Sequence, residues 1–451
     1  MAISAVINGI VGLAVLVGIA LLFSNNRRKI NWRLVGSGLG LQLVFAILIL
    51  KGGELSTYWN PLGWPKLFFE ILSKGFVVVL GFTTKGAQFI FGQLAISPGA
   101  EGSLGFFFAF QVLPTIIFFA SLMSVLYYLG VMQWVVQGMA WIMARVMGTS
   151  GAESLSNTAN IFVGQTEAPL MIRPFIKGMT QSELLTIMVG GMATIAGGVL
   201  AAYVQMLGNS YAIAHSLPLD VAQAKFAAQL LSASLMAAPA GLAIAKILYP
   251  ETEESETKGT VKVKVEKNAS NVIEAAAAGA SDGLQLALNV GAMLLAFIAL
   301  IALVNALLGS LGDITGWNAA LQQSFGQPLS LQLVLGLVLQ YLAFAIGVPW
   351  EEALHVGSLI GTKVVLNEFV GYLDLSQLIT AGKLVSDKAI LMSTFALCGF
   401  ANFSSIAIQI GGLSPLAPER RKDLASLGLK AVLGGTLANL MTATIAGMLL
   451  G

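Results

Sequence analysis

The sequence predicts an all-α polytopic membrane protein: eight transmembrane helices, two re-entrant helical hairpins set as inverted repeats, and interfacial helices. Three observations carry that fold class. Of 451 residues, 56% are hydrophobic and only 10% are charged, where soluble domains carry about a quarter. The mean hydropathy is +0.82, and so few charges cannot cover a soluble surface. Charge-free windows close to the ~20 residues that span a bilayer recur along the chain.

The same composition excludes several classes. A net charge of +2 argues against a nucleic-acid partner. One cysteine, Cys398, leaves no disulfide framework within the chain. Two histidines, His215 and His355, are too few for a histidine-rich metal site. No Walker A pattern is present, so ATP hydrolysis is not expected.

In chain order, the first window is Ala5–Phe23. It is too long for a secretory h-region and follows no basic segment, so it reads as a retained helix. Further windows are Leu34–Leu50, Leu104–Gly130, Leu184–Leu207, Phe226–Ala245, Gly283–Gly312, Ala389–Pro418 and Ala431–Gly451. Short loops rich in Lys and Arg face the cytoplasm. Arg27, Arg28, Lys29 and Arg33 follow the first window, Arg145, Arg173 and Lys177 lie further on, and Arg420, Arg421 and Lys422 precede the last. Eight crossings place all of them inside when both termini are periplasmic, as expected for an inner-membrane protein. The polar stretch Pro250–Asn271 falls on the same side and reads as a solvated linker between two halves. Pro65–Ala95, with Lys66, Glu70, Lys74 and Lys85, and Val131–Met147, with Trp134 and Trp141, are expected to lie along the interface.

Two apolar stretches cannot run straight. Ser154–Lys177 is interrupted by Val163-Gly164-Gln165-Thr166-Glu167-Ala168-Pro169. Its arms are too short to cross, Pro169 disfavours helix at Ala168, and Gly164 permits a turn. Leu329–Val370 is interrupted by Gly347-Val348-Pro349-Trp350-Glu351-Glu352. Both read as hairpins with a polar tip. After each comes a membrane helix rich in Gly and small polar residues, Ala193–Val199 and Phe400–Ser405, where local unwinding is expected. Paired interruptions in two halves point to a transporter's binding site.

A carboxylate at membrane depth costs at least about 2.5 kcal/mol and marks function, which singles out Glu167 and Glu352. The plainer reading is a glutamate reaching headgroup water. Glu351, as the neighbour of Glu352, cannot face the same site, and Glu368 in Asn367-Glu368-Phe369 reads as interfacial. His355 reads as a hydrogen-bonded histidine rather than a proton relay. Asn160 and Thr194, with the carbonyls of Val163 and Ile195, offer oxygens to a hard cation such as Na⁺. Asn160 and Thr194 serve equally well as helix–helix hydrogen-bonding residues. Gln165, Thr166, Asn402 and Ser405 suit an uncharged solute with many polar edges. Phe400 either packs on a ring of that solute or is an ordinary core aromatic.

These motifs resemble the concentrative nucleoside transporters, most closely the bacterial sodium-coupled members. The likeness rests on Val163–Pro169, Ala193–Leu200, Gly347–Glu352, Asn367-Glu368-Phe369 and Cys398–Ser405, in that order, and runs through most of the chain from Arg27. It implies a homotrimer with an elevator-like transport region. The expected organisation is N-terminal membrane helices over 1–60, an interfacial region over 61–103 and a scaffold helix over 104–130. A first transport repeat over 131–249 precedes a cytoplasmic linker over 250–271. A scaffold helix over 272–312 and a second transport repeat over 313–451 follow. The resemblance places the nucleobase of a substrate such as uridine on Gln165, Thr166, Glu167 and Val199. It places the ribose on Glu352, Asn402 and Ser405 with Phe400 beside it, and sodium on Asn160, Val163, Thr194 and Ile195. One departure is Pro-Trp-Glu-Glu at 349–352, where close relatives are expected to carry Pro-Trp-Asn-Glu.

The expected function is therefore sodium-coupled symport of nucleosides, and the chain is not expected to be an enzyme. Proton coupling through Glu167 or Glu352 is the alternative. An ion channel is less well supported, because the two halves carry different polar sets rather than a repeated filter.

Overall fold

The computed structural model describes residues 3–97, 100–258 and 269–450. Among the described residues every regular element is a helix. The longer ones are α1 (Ile3–Leu22), α2 (Trp32–Leu50), α3 (Trp64–Phe91), α4 (Leu113–Tyr128), α5 (Val131–Met147), α6 (Gly151–Ala159), α7 (Gln181–Ala193), α8 (Gly197–His215) and α9 (Leu219–Leu248). After the linker come α10 (Val272–Thr315), α11 (Trp317–Phe325), α12 (Leu331–Ala345), α13 (Trp350–Val365), α14 (Glu368–Thr380), α15 (Asp387–Leu397), α16 (Phe403–Leu413) and α17 (Arg421–Leu450).

The helix starts have local causes. Ser150 with Glu153, and Thr180 with Glu183, form capping boxes that satisfy the free N–H groups opening α6 and α7. Asn271, Ser330, Asn367, Ser386 and Asn402 cap α10, α12, α14, α15 and α16 with side-chain oxygens.

Among the described residues, eight helical stretches are long and apolar enough to cross a membrane: α1, α2, residues 60–95, 108–128 and 181–215, α9, α10 and residues 418–450. Seven expected windows fall on them. The eighth, Ala389–Pro418, is two short helices, α15 and α16, parted by the non-helical Cys398–Asn402. The eighth qualifying stretch is instead the one expected at the interface. Residues 64–91 form one 28-residue helix whose buried positions, Ser73, Leu80, Thr83 and Ala87, share one face.

Burial divides the molecule. In the apolar stretches of α7–α8, α9 and α17, 83–89% of residues are buried, against 17–33% in α1–α4 and α10. An inner bundle is thus wrapped by helices whose outward faces are apolar. The long α10 lies against α4, where Gly279 and Gly283 let the backbones meet: a Cβ at either would fall within 2.8 Å of α4 atoms.

The linker is only partly solvated. Glu251 pairs with Lys246 at 3.2 Å, Ser255 donates to Glu183 at 2.5 Å, and Gly151 N–H donates to Thr257 O at 2.8 Å. Its first part is thereby docked on the starts of α6 and α7. Residues 259–268 of the expected linker lie outside the described residues.

Candidate functional site

Two hairpin tips and two helix breaks converge on one cavity of about 160 Å³. The first tip follows α6. Glu167 folds back so that its carboxylate accepts from Gly164 N–H at 3.0 Å. Gln165 Nε2 donates to Ser405 Oγ at 3.1 Å, across 240 residues of sequence. Gln409 Nε2 donates to Gln165 Oε1 at 3.0 Å and to Met188 O at 2.9 Å, fixing the orientation of the Gln165 amide.

The sequence places a second hairpin at Gly347–Glu352. α12 and α13 meet at a corner bent by 118° at Gly347–Pro349, but no residue of this corner lines the cavity. The tip that does is Asn367–Phe369, between α13 and α14. Glu368 Oε1 accepts from Tyr203 Oη and its Oε2 from Asn402 Nδ2, each at 3.0 Å. Asn402 Oδ1 in turn accepts from Ser405 N–H at 2.9 Å and Ser404 Oγ at 2.7 Å.

Seven expected substrate residues line this cavity together: Gln165, Thr166, Glu167, Val199, Phe400, Asn402 and Ser405. Glu352 does not. Its carboxylate accepts from the N–H groups of Val385 at 2.8 Å and Ser386 at 3.0 Å, and from the Ser386 hydroxyl. It satisfies the free amides at the start of α15, a structural use of charge at a positive helix end. Glu351 is exposed beside it. Sequence reasoning missed Glu368 as a cavity carboxylate, and missed Tyr203 as its hydrogen-bond donor. It also missed the apolar wall of Leu286, Val290, Met293 and Leu294 from α10. The signal for Glu368 was present, since an Asn N-cap followed by Glu opens a helix inside an apolar stretch.

The four expected cation ligands lie where the first tip meets the break between α7 and α8. Gly197 N–H donates to Phe162 O at 3.1 Å, joining the two. Asn160 Nδ2 is held by Ser156 O at 3.0 Å, while its Oδ1 is buried with no hydrogen-bond partner among the described residues. Thr194 Oγ1 donates to Gly190 O at 2.9 Å and keeps its lone pairs. Asn160 Oδ1 is thus a buried acceptor that a cation could use. Among the described residues no cluster of three His, Cys, Asp or Glu is placed to hold a metal. A larger groove of about 480 Å³ between α2 and α3 is lined by apolar and aromatic residues such as Phe45 and Trp64, and offers no carboxylate or amide to a polar solute.

Family models meet the chain over most of its length. That for the Na⁺ dependent nucleoside transporter C-terminus matches residues 229–447, that for the N-terminus matches 11–94, and one described as nucleoside recognition matches 109–210. An uncharacterized transporter of Haemophilus influenzae is 48% identical over 99% of this chain and 98% of its own. The nucleoside permease NupC of Helicobacter pylori is 44% identical over 98% and 97%. Sodium/nucleoside cotransporter 1 of Rattus norvegicus is 42% identical over 96% of this chain, which spans 62% of that longer protein. The solved structure of CNTnw in an inward-facing substrate-bound state superposes with a TM-score of 0.83 at 44% identity, covering 99% of both chains. A variant of CNTnw in an outward-facing state gives 0.84. Since the matches take in both hairpin tips and both breaks, the cavity belongs to a transport protein rather than an enzyme, and the chain is a multi-pass member of the Na⁺-dependent nucleoside transporter family.

Proposed function

We propose that this protein carries nucleosides into the cell together with Na⁺. The observation that supports this best is the cavity itself. Gln165 spends one amide hydrogen on Ser405 and accepts one bond from Gln409. One N–H and one lone pair remain, a donor–acceptor edge for a nucleobase flanked by Thr166, Glu167 and Val199. Glu368 accepts one hydrogen bond on each oxygen, so a lone pair on each remains for a ribose hydroxyl. Asn402, Ser405 and Phe400 complete the ribose side. Glu368 thus takes the role that the sequence pattern assigned to Glu352.

Sodium binds at Asn160 Oδ1, the carbonyls of Val163 and Ile195, and Thr194 Oγ1. Binding there orders the tip that carries Gln165–Glu167 and so raises nucleoside affinity, and by linkage the nucleoside raises sodium affinity equally. The working unit is a homotrimer in the inner membrane, with both termini periplasmic. Residues 104–130 and 272–312 belong to a static scaffold. Residues 131–249 and 313–451 move together as an elevator, carrying the cavity past the α10 wall.

Proton coupling is the second reading, because Glu167 and Glu368 both line the cavity. Uptake of radiolabelled uridine into proteoliposomes separates the two. A Na⁺ gradient at fixed pH is expected to drive accumulation, and Asn160→Ala to weaken it. Accumulation driven equally by a pH gradient without Na⁺ would move coupling to a carboxylate.

A further inference from the structure

We infer that the Lys363 ammonium is a built-in cation at the second helix break, playing there the part that a sodium ion plays at the first. The inference rests on the symport reading and adds to it a stoichiometry: one cation from solution per nucleoside.

Lys363 is 1% exposed. Buried charges are normally paired with an opposite charge. Lys246, the other deeply buried lysine among the described residues, follows that rule, with Glu153 and Glu251 as its partners. Lys363 has no carboxylate within ion-pair distance among the described residues. Its Nζ donates instead to Ala396 O at 2.9 Å and to Asn439 Oδ1 at 2.6 Å. Ala396 is in the last turn of α15, so the ammonium sits at the negative end of a half-helix.

Asn439 extends this to both breaks. Its Nδ2 donates to Ala193 O, at the end of α7, at 2.6 Å and to Cys398 O, just past α15, at 2.7 Å. Two half-helix carboxyl ends therefore meet at one buried amide that a lysine holds. The approach is close: a Cβ on Gly399 would lie 2.4 Å from Asn439 Oδ1 and 2.7 Å from Met192 O.

The two breaks correspond position by position. α7 ends at Ala193 and is followed by Thr194, while α15 ends at Leu397 and is followed by Cys398. Asn160 lies just before the first tip, and Lys363 just before the second. A hard cation seeks oxygen ligands. The first break offers a hydroxyl and an unpartnered amide oxygen. The second offers a thiol, a poor ligand for sodium, and already has an ammonium against its carbonyl. Half-helix carboxyl ends are the places where transporters bind coupling cations; at the second one the chain supplies the charge itself.

The test is the reversal potential of uridine flux in proteoliposomes of the full-length protein. Wild type and Lys363→Arg are expected to move one charge per uridine, whether sodium or the proton carries it, so this readout stands apart from the identity of the ion. A ratio of two charges in the wild type overturns the inference. Lys363→Gln, which puts an amide oxygen where Asn160 has one, is expected to lose about tenfold in uptake at low Na⁺, because it removes the positive charge at the carboxyl end of α15. Uptake is expected to return at high Na⁺, with a Na⁺ dependence steeper than first order. Wild-type Na⁺ dependence in folded Lys363→Gln also overturns it. If that variant does not fold, the wild-type charge ratio decides alone. Uptake indifferent to Na⁺ with one charge per uridine sinks the sodium reading but leaves the role of Lys363 standing.

Discussion

Glu352 lies in the first turn of α13 and Glu368 just past its end, and they are almost equally buried, at 9% and 6% exposure. Both sit beside a helix break in an apolar stretch. One satisfies the amides that open α15, and the other faces the cavity between Tyr203 and Asn402. Depth and burial are therefore not what separates a structural carboxylate from a binding one. The partners separate them. Glu352 accepts three hydrogen bonds, from two backbone amides and a hydroxyl of one helix start, and lines no cavity, whereas Glu368 is held by two side chains and keeps acceptor capacity toward an open space.

That contrast can be broken by substitution. The largest effect is expected from Glu368→Gln. It removes the charge and one acceptor oxygen, and uridine uptake should fall about 100-fold or more while the protein stays folded. Uptake within a few-fold of wild type would mean that the cavity carboxylate does not hold the substrate. Tyr203→Phe removes only the phenolic donor that orients Glu368, and a KM raised roughly tenfold at nearly constant expression is the expected result. An unchanged KM would show that Asn402 alone suffices to orient the carboxylate.

Glu352→Gln should act on stability instead. Loss of the charge at the start of α15 is expected to cost about 1–2 kcal/mol, read as a lower Tm in detergent, with KM within about twofold of wild type. A large change in KM without loss of Tm would return Glu352 to the binding site. Glu351→Ala is expected to do least, a change within about 0.5 kcal/mol and no shift in uptake, since the side chain is exposed. A clear loss of uptake would show that the added carboxylate of Pro-Trp-Glu-Glu takes part in coupling.

The sequence was informative wherever the cause was local. Gly164 and Pro169 interrupt an apolar run whatever packs against it, so the first tip and its Gln165, Thr166 and Glu167 were legible. So were the unwound stretch at Cys398–Asn402 and seven of the crossing helices. The Gly347–Pro349 break misled only about the cavity: it carries the same local signature, an interruption followed by glutamate, and α12 and α13 do fold back there by 118°, yet none of its residues lines the cavity. Residues 64–91 carry both signals: Lys66, Glu70, Lys74 and Lys85 suit an interface, while between them the helix is long and apolar enough to cross.

By itself the sequence determined the membrane environment, the helices and the places where they break, because hydropathy and the φ preferences of Gly and Pro act within a few residues. Only the tertiary structure decided which carboxylate faces the cavity, which wall closes it, and that a lysine meets the carboxyl end of α15 at the second break. Those outcomes depend on contacts such as Gln165 with Ser405 and Lys363 with Asn439, which join residues 240 and 76 positions apart. A side chain's depth follows from its own helix, but its partner is set by how distant helices pack.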